Sequence, residues 1–497
     1  MSPDYAPVYY LTARSLIRMS KIFPAISEYI DGVRVSFKDF WTLFNLAGRV
    51  YTVLTISLTL TSLTILFAWL LRILPVFNHT FRENTSKFID NSLRPFFFGT
   101  IIVLPAIFGI GWFVVFWITC IWLYLTKKER VVAVIILVFF LSLPVTLKYN
   151  AIFLTGHENM TLQGLIAADK GMEDTDLLIS LKKQYNNATD NPYLPLSIAT
   201  IMYKGGNFNG AIEYYNKQLV SDQKSIRRIA LNNLGNIFFK SGNYGKAIEY
   251  YKAAEKEAPE SAIPPFNLSQ AFREKLMFEE ADQAYKTARN INIQDAEKFS
   301  TIITKGGAHV MDYPLSKDEL WHVALQPNNY SRLLSSIILQ GIFRISGDRL
   351  HILGFSIMII LTILSYVKPV TPMAYHCPEC NRIVCGYCTG SKVFGGLCRE
   401  CRRKDEKEGV APGGMNKRWS FLLPGLWHIY KGKSSPGIIM NIIFFIGLTV
   451  FISGNLSDTW YIAYYFPSKF YLTGIFLICT SYLMLLFNLK YIRVRFN

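Results

Sequence analysis

Residues Arg228–Ser261 read RIALNNLGNIFFKSGNYGKAIEYYKAAEKEAPES. Leu234, Gly235 and Phe238 lie before Gly242, and Tyr244, Ala247, Tyr251 and Ala254 after it, with Pro259 closing the unit. Apolar and small residues at helical spacing on either side of a glycine predict two helices joined by a tight turn. Moving 34 residues forward meets Leu268, Ser269, Phe272, Phe278, Ala281, Tyr285 and Ala288. Moving 36 back meets Ile198, Ala199, Met202, Gly206, Phe208, Ala211 and Tyr215. Three units in register (192–225, 228–261 and 262–295) make chance a poor explanation. They predict a stacked array in which each unit buries its apolar face on the next.

At these spacings the segment closely resembles a tetratricopeptide repeat. The resemblance implies an α-solenoid in which small residues such as Gly235 and Ala247 let antiparallel helices approach, while aromatic residues, Tyr251 among them, serve packing. It also implies that a partner is held by the first helix of each pair, on the face lining the hollow of the superhelix. The corresponding positions are Tyr193, Leu196, Thr200 and Tyr203, then Asn232, Asn236 and Phe239, then Phe266, Gln270 and Arg273. Spacings of three and four put each set on one helical face. Asparagines there can hydrogen-bond the backbone of an extended peptide; the alternative is that this face packs on a flanking helix or on the membrane-proximal domain. The array needs caps, for which the sequence offers a helix at 174–186 and a capping box, Ser316 to Glu319, opening another with Leu320, Trp321, Val323 and Leu325.

Outside this region the chain changes character. Of 497 residues 51% are hydrophobic and only 18% charged, below the roughly 25% of soluble domains. Runs of about 20 apolar residues suffice to cross a bilayer, and six are expected: between Arg49 and Arg72, between Arg94 and Lys127 (tilted or broken near Pro105, Gly109 and Gly111), from Val131 to Leu147, between Arg349 and Lys368, between Lys433 and Asp458, and between Lys469 and Lys490. The fold class is therefore all-α: a polytopic helical membrane protein carrying a helical-repeat domain and a small zinc-binding module. Its expected divisions are an interfacial arm (1–49), three transmembrane helices (50–147), the repeat domain (151–330), an interfacial segment (331–349), a transmembrane helix (350–367), the zinc module (376–404) and a two-helix membrane hairpin (419–490). No secretory signal is expected, because Arg14, Arg18 and Lys21 precede no apolar core before Val50.

The zinc module is read from Cys377, Cys380, Cys385, Cys388, Cys398 and Cys401, three Cys-x-x-Cys pairs within 25 residues. A Cys-x-x-Cys turn presents two thiolates to one tetrahedral ion, and pairing the first with the third gives ribbon-type spacing. One zinc ion is expected. A second would need His376 and a carboxylate such as Asp405 beside Cys385 and Cys388, and redox thiols or an iron–sulfur cluster are the alternatives. The segment resembles zinc ribbons or treble clefs of the FYVE and RING kind, without their fourth pair. Residues 421–437, with Pro424, Gly425, His428, Tyr430, Gly432 and Lys433, resemble the hairpin of TM2-like proteins.

Zinc thiolates require a reducing compartment, so the module is expected in the cytoplasm. Alternation over six spans then puts both termini in the cytoplasm and the repeats outside. Lys and Arg agree: 6 in the arm, 3 at 127–130, 12 in 368–433 and 3 in the tail. Arg72, Arg82, Lys87 and Arg94, in a loop assigned outside, fit least well. All seven Asn-x-Ser/Thr triplets, Asn267 among them, fall in segments assigned outside. The overall charge of +17 gathers at the membrane flanks and the zinc loop, since 151–330 hold 19 basic and 21 acidic residues; this disfavours nucleic acid as a partner.

No HExxH, phosphate-binding loop, Gly-x-Ser-x-Gly or Rossmann fingerprint is present, so no catalytic residue is assigned and no enzyme is expected. The expected function is an integral membrane scaffold, resembling uncharacterised bacterial tetratricopeptide membrane proteins of the inner membrane, that binds a protein partner and serves assembly of an envelope complex. The alternatives are a transmembrane sensor with ligand or thiol input, and a zinc module that recruits a cytosolic partner, ligase-like or nucleic-acid-binding.

Overall fold

A computed structural model describes residues 6–37, 39–86, 88–170, 175–187, 191–304, 309–344, 356, 374–377, 383–384, 417–432, 434–456 and 470–494. The chain divides into two units. One comprises Met1–Phe153 with Ser331–Asn497, and the other is Leu154–Tyr330.

The first unit is built on α3 (Phe40–Thr85), 46 residues and about 69 Å long at 1.5 Å per residue. It begins at Asp39, whose carboxylate accepts from the Thr42 N–H at 2.8 Å, and is preceded by α1 (Ala6–Arg18) and α2 (Ile22–Ser36). The expected interfacial arm (1–49) thus comprises α1, α2 and the first turns of α3. After α3 come α4 (Arg94–Ile107), α5 (Ile110–Ile121) and α6 (Lys127–Leu154). Phe40–Thr85, Lys127–Leu154 and Ser434–Ser453 are long and apolar enough to cross a membrane.

The stretch between Arg94 and Lys127 is not one crossing. It breaks at Gly109, with φ +110°, and doubles back: the Phe77 ring lies 6.2 Å from Phe98 and 6.3 Å from Tyr124, centroid to centroid. A continuous helix would hold positions 98 and 124 about 39 Å apart. The turn is capped from α17 (Asn329–Phe343). The Phe343 carbonyl accepts from the Trp112 indole at 2.9 Å, and its ring fills the space beside Gly111, where a Cβ would stand 2.2 Å from it. The run 331–343, part of the expected interfacial segment 331–349, is helical.

α6 runs back along α3, with Arg72 donating to the Glu129 carboxylate at 2.7 Å, and Thr52 and Thr55 bonded to the Asn150 amide at 2.8 and 3.0 Å. Residues 72 and 129 therefore share one end of the bundle. Phe153, where the chain leaves for the second unit, shares the other end with the start of α3, its Cβ 2.8 Å from where a Cβ on Gly48 would stand. The start of α3 and Phe153 thus lie at one end of this bundle, and residues 72 and 129 at the other.

After α17 the described chain resumes at a two-stranded ladder, β1 (Tyr375–His376) antiparallel to β2 (Ile383–Val384), pairing Tyr375 with Val384 and His376 with Ile383. Ala374 packs with Val76 at the Arg72 end of α3. Two helices follow the short α18 (Leu426–Tyr430): α19 (Ser434–Leu456) and α20 (Phe470–Val494). α19 runs antiparallel to α3, with Gly432 beside Arg72 and Thr449 meeting Ser57 at 3.3 Å. Gly447 and Gly474 bring α19 and α20 into backbone contact, since a Cβ on Gly447 would stand 2.9 Å from the Gly474 carbonyl oxygen. Such close small-residue packing suits helices in lipid. The span expected at 350–367 lies, apart from Ser356, outside the described residues.

The second unit opens with α7 (Met160–Lys170) and α8 (Thr175–Asn187). Three antiparallel pairs follow: α9 (Tyr193–Lys204) with α10 (Phe208–Gln218), α11 (Lys224–Lys240) with α12 (Tyr244–Glu257), and α13 (Ile263–Glu274) with α14 (Phe278–Ile291). Gly206 and Gly242 take φ +77° and +74° in the first two turns, a conformation that favours glycine. The pairs correspond to the three units read from the sequence. α15 (Ile293–Thr304) extends the array, and α16 (Lys317–Ala324) opens with the expected capping box, Ser316 and Glu319 each bonded to the other's backbone.

Candidate peptide-binding groove of the repeats

Within a repeat pair the approach is set by Gly235. A Cβ there would lie 2.5 Å from the Tyr251 ring, so the glycine admits Tyr251 to the interior, where it is fully buried. Tyr215 occupies the same place one unit earlier. The sequence assigned these rings to packing alone, but their hydroxyls also act. Tyr251 donates to the Asn236 amide oxygen at 2.8 Å, and Tyr215 accepts from the Asn233 amide at 3.1 Å while donating to Thr200 at 2.9 Å. Burial raises both phenol pKa values above the ordinary range, which keeps the hydroxyls protonated. With its oxygen held by Tyr251, the Asn236 amide points its N–H bonds into the groove.

The hollow face holds a segment of the same chain. Residues 309–315, between α15 and α16, run through it without helix or strand, and Val310 and Met311 are buried. The Met311 carbonyl accepts from the amides of Asn232 at 3.0 Å, Asn236 at 3.1 Å and Asn267 at 2.7 Å, while the Met311 N–H donates to Asn267 Oδ1 at 2.7 Å. The Tyr313 N–H donates to Asn233 Oδ1 at 3.3 Å. Each such bond contributes about 0.5–1.5 kcal/mol net, whereas a buried backbone group left unpaired costs about 1–3 kcal/mol. Asparagine, carrying both donor and acceptor, therefore suits a groove that holds a peptide by its backbone.

Successive side chains of the segment find separate sites. Val310 joins the cluster of Phe239 and Phe272, and Met311 joins that of Phe266 and Phe299. Asp312 accepts from Tyr203 Oη at 2.8 Å and from Asn236 at 2.9 Å, and pairs with Lys204. Burial, followed by the Asp312 carboxylate, drives the Tyr203 phenol far above its ordinary pKa. Lys240 lies 4.4 Å from the Tyr203 ring centroid, its pKa lowered by desolvation against the opposing pull of Asp312. The Arg228 guanidinium stands 5.1 Å over the Tyr313 ring.

Of the residues assigned to the groove, Asn232, Asn236 and Tyr203 contact the segment by hydrogen bonds, and Phe239 and Phe266 share its apolar sites. Thr200 instead bonds Tyr215 and the Leu196 carbonyl, Tyr193 is buried near His322, Gln270 bonds Ser269, and Arg273 lies 6.0 Å from the Tyr285 ring. Asn233, Asn267, Lys204 and Arg228 were missed. Asn233 and Asn267 stand 34 residues apart, so the period itself carried the signal. Asn267, also counted as a glycosylation triplet, is fully buried and bonded to the segment.

Of the six cysteines only Cys377 lies among the described residues; Cys380, Cys385, Cys388, Cys398 and Cys401 lie outside them. Cys377 is buried and directly follows β1, so the ladder joins strands on either side of the first Cys-x-x-Cys pair. Among the described residues no group of three metal-ligating side chains forms.

Residues 229–261 match the tetratricopeptide repeat family model, which coincides with the unit read first in the sequence. No curated protein matches the chain.

Proposed function

We propose that this protein is an integral membrane scaffold whose repeats bind a protein partner through the asparagine-lined groove. Starting from the family match at 229–261, which points to protein–protein interaction, one observation carries the reading: Asn232, Asn236 and Asn267 converge on both backbone groups of Met311. A groove built to hold main chain suits an extended segment of another protein as well as its own. The role is one of holding and positioning, with no chemical step, in assembly of an envelope complex at a bacterial inner membrane. The repeats and the arm face the extracytoplasmic side. The zinc module stands in the cytoplasm, where Cys377, Cys380, Cys398 and Cys401 would hold one structural zinc ion.

A photo-crosslinking residue at Gln270, used in intact membranes, tests the partner. The expected result is a defined protein adduct whose yield falls when Asn236 is replaced by Ala. Recovery of intramolecular adducts alone would overturn the reading.

A further inference from the structure

The groove is filled by its own chain, and the repeat pattern does not demand this. Residues 309–315 are held as a ligand is held. Their main chain is bonded at Met311 and Tyr313, and successive side chains enter separate sites, of which the Asp312 site is cationic, with Lys204 bonded and Lys240 alongside. The arrangement displays what the groove selects: two apolar residues, then an acid, then an aromatic ring on Arg228.

We propose that residues 309–315 are a resident competitor, and that the partner presents an extended segment with the same apolar-apolar-acidic-aromatic order and displaces them. This rests on the reading of the groove as the partner site. A tethered occupant acts at an effective concentration of about millimolar, and the partner's apparent affinity falls by the fraction of time the groove stands open. A groove open about one part in a hundred weakens apparent binding about 100-fold. Partner engagement thereby requires either a high local concentration or a process that lifts the resident segment.

The test titrates a fluorescent synthetic peptide of residues 306–316 against the full chain in detergent, wild type and Val310→Gly/Asp312→Ala. The expected result is weak binding to wild type and at least about tenfold tighter binding to the double variant, lost again when Asn236→Ala is added. Hydrogen exchange at the Met311 amide should rise in the double variant. If that variant keeps its helical circular dichroism and binds the peptide no better than wild type, the proposal fails. Should it not fold, Asp312→Ala alone is expected to give an intermediate gain, and no gain overturns the proposal equally. A peptide that binds the released groove tightly while Gln270 crosslinks no partner in membranes would sink the functional reading and leave the resident competitor standing.

Discussion

Asn267 grips Met311 by both of its backbone groups, donating to the carbonyl at 2.7 Å and accepting from the N–H at 2.7 Å. The two residues are 44 positions apart in the chain, so one side chain fixes a long-range connection. Asn267→Ala strands the buried Met311 N–H, while the carbonyl keeps its bonds from Asn232 and Asn236. A loss of about 1–3 kcal/mol is expected from denaturant unfolding of the repeat unit, with faster exchange at the Met311 amide. Asn267→Asp should not rescue it, because a carboxylate accepts from the N–H and repels the carbonyl.

Tyr251→Phe removes the hydroxyl that holds the Asn236 amide in its working orientation. About 1 kcal/mol of stability should be lost, with Asn236→Ala costing more. In a double-mutant cycle the two changes should be strongly non-additive. Additive losses would show that Tyr251 serves packing alone.

Gly235 and Gly242 lie seven residues apart and should respond to alanine for different reasons. At Gly235 the added methyl meets the Tyr251 ring at 2.5 Å, and overpacking of this kind costs about 1–3 kcal/mol. Nothing lies within 4 Å of a Cβ at Gly242, whose φ is +74°, so only backbone strain of about 1 kcal/mol is added. Thermal unfolding of each variant checks the order, Gly235→Ala the more damaging.

Arg72 and Glu129 form one polar tie of the apolar bundle, with the Glu129 side chain 1% exposed. Removing one partner of a buried pair typically costs about 3–5 kcal/mol, while replacing both with apolar groups is often neutral. Arg72→Met is therefore expected to lower thermal stability in detergent sharply, and Arg72→Met/Glu129→Leu to restore much of it.

The doubled-back hairpin also makes a prediction about sides. A cysteine placed at Ser15 and one placed at Thr287 should react with a membrane-impermeant thiol reagent from the same side, and one at Asn91 from the other. Labelling of positions 15 and 287 from opposite sides would restore alternation through the stretch 94–127.

The sequence made the repeat register and half of the groove legible, because period and helical face together fix which side chains look into the hollow; Asn232 and Asn236 were found that way. Asn233 and Asn267 were passed over because they sit one residue along the same turn, where the face bends toward the neighbouring pair. The occupant could not be read, since a segment without helix or strand carries no periodicity to link Met311 with helices 44 to 79 residues earlier. The hairpin escaped for a related reason. An apolar run long enough to cross can also fold back, and Gly109 alone does not decide between them; the contacts of Phe77 and Phe343 do.

The socket that Phe343 fills beside Gly111 has a consequence for biosynthesis. Trp112 and Phe343, bonded in the finished protein, are 231 residues apart, with the whole repeat unit inserted between them. At about 5–20 residues per second the ribosome needs about 10–45 s to supply the ring after the hairpin has emerged. For that interval Gly109 and Gly111 offer bare backbone to whatever is near. The packing around this turn is therefore completed only after the repeat unit has been synthesised.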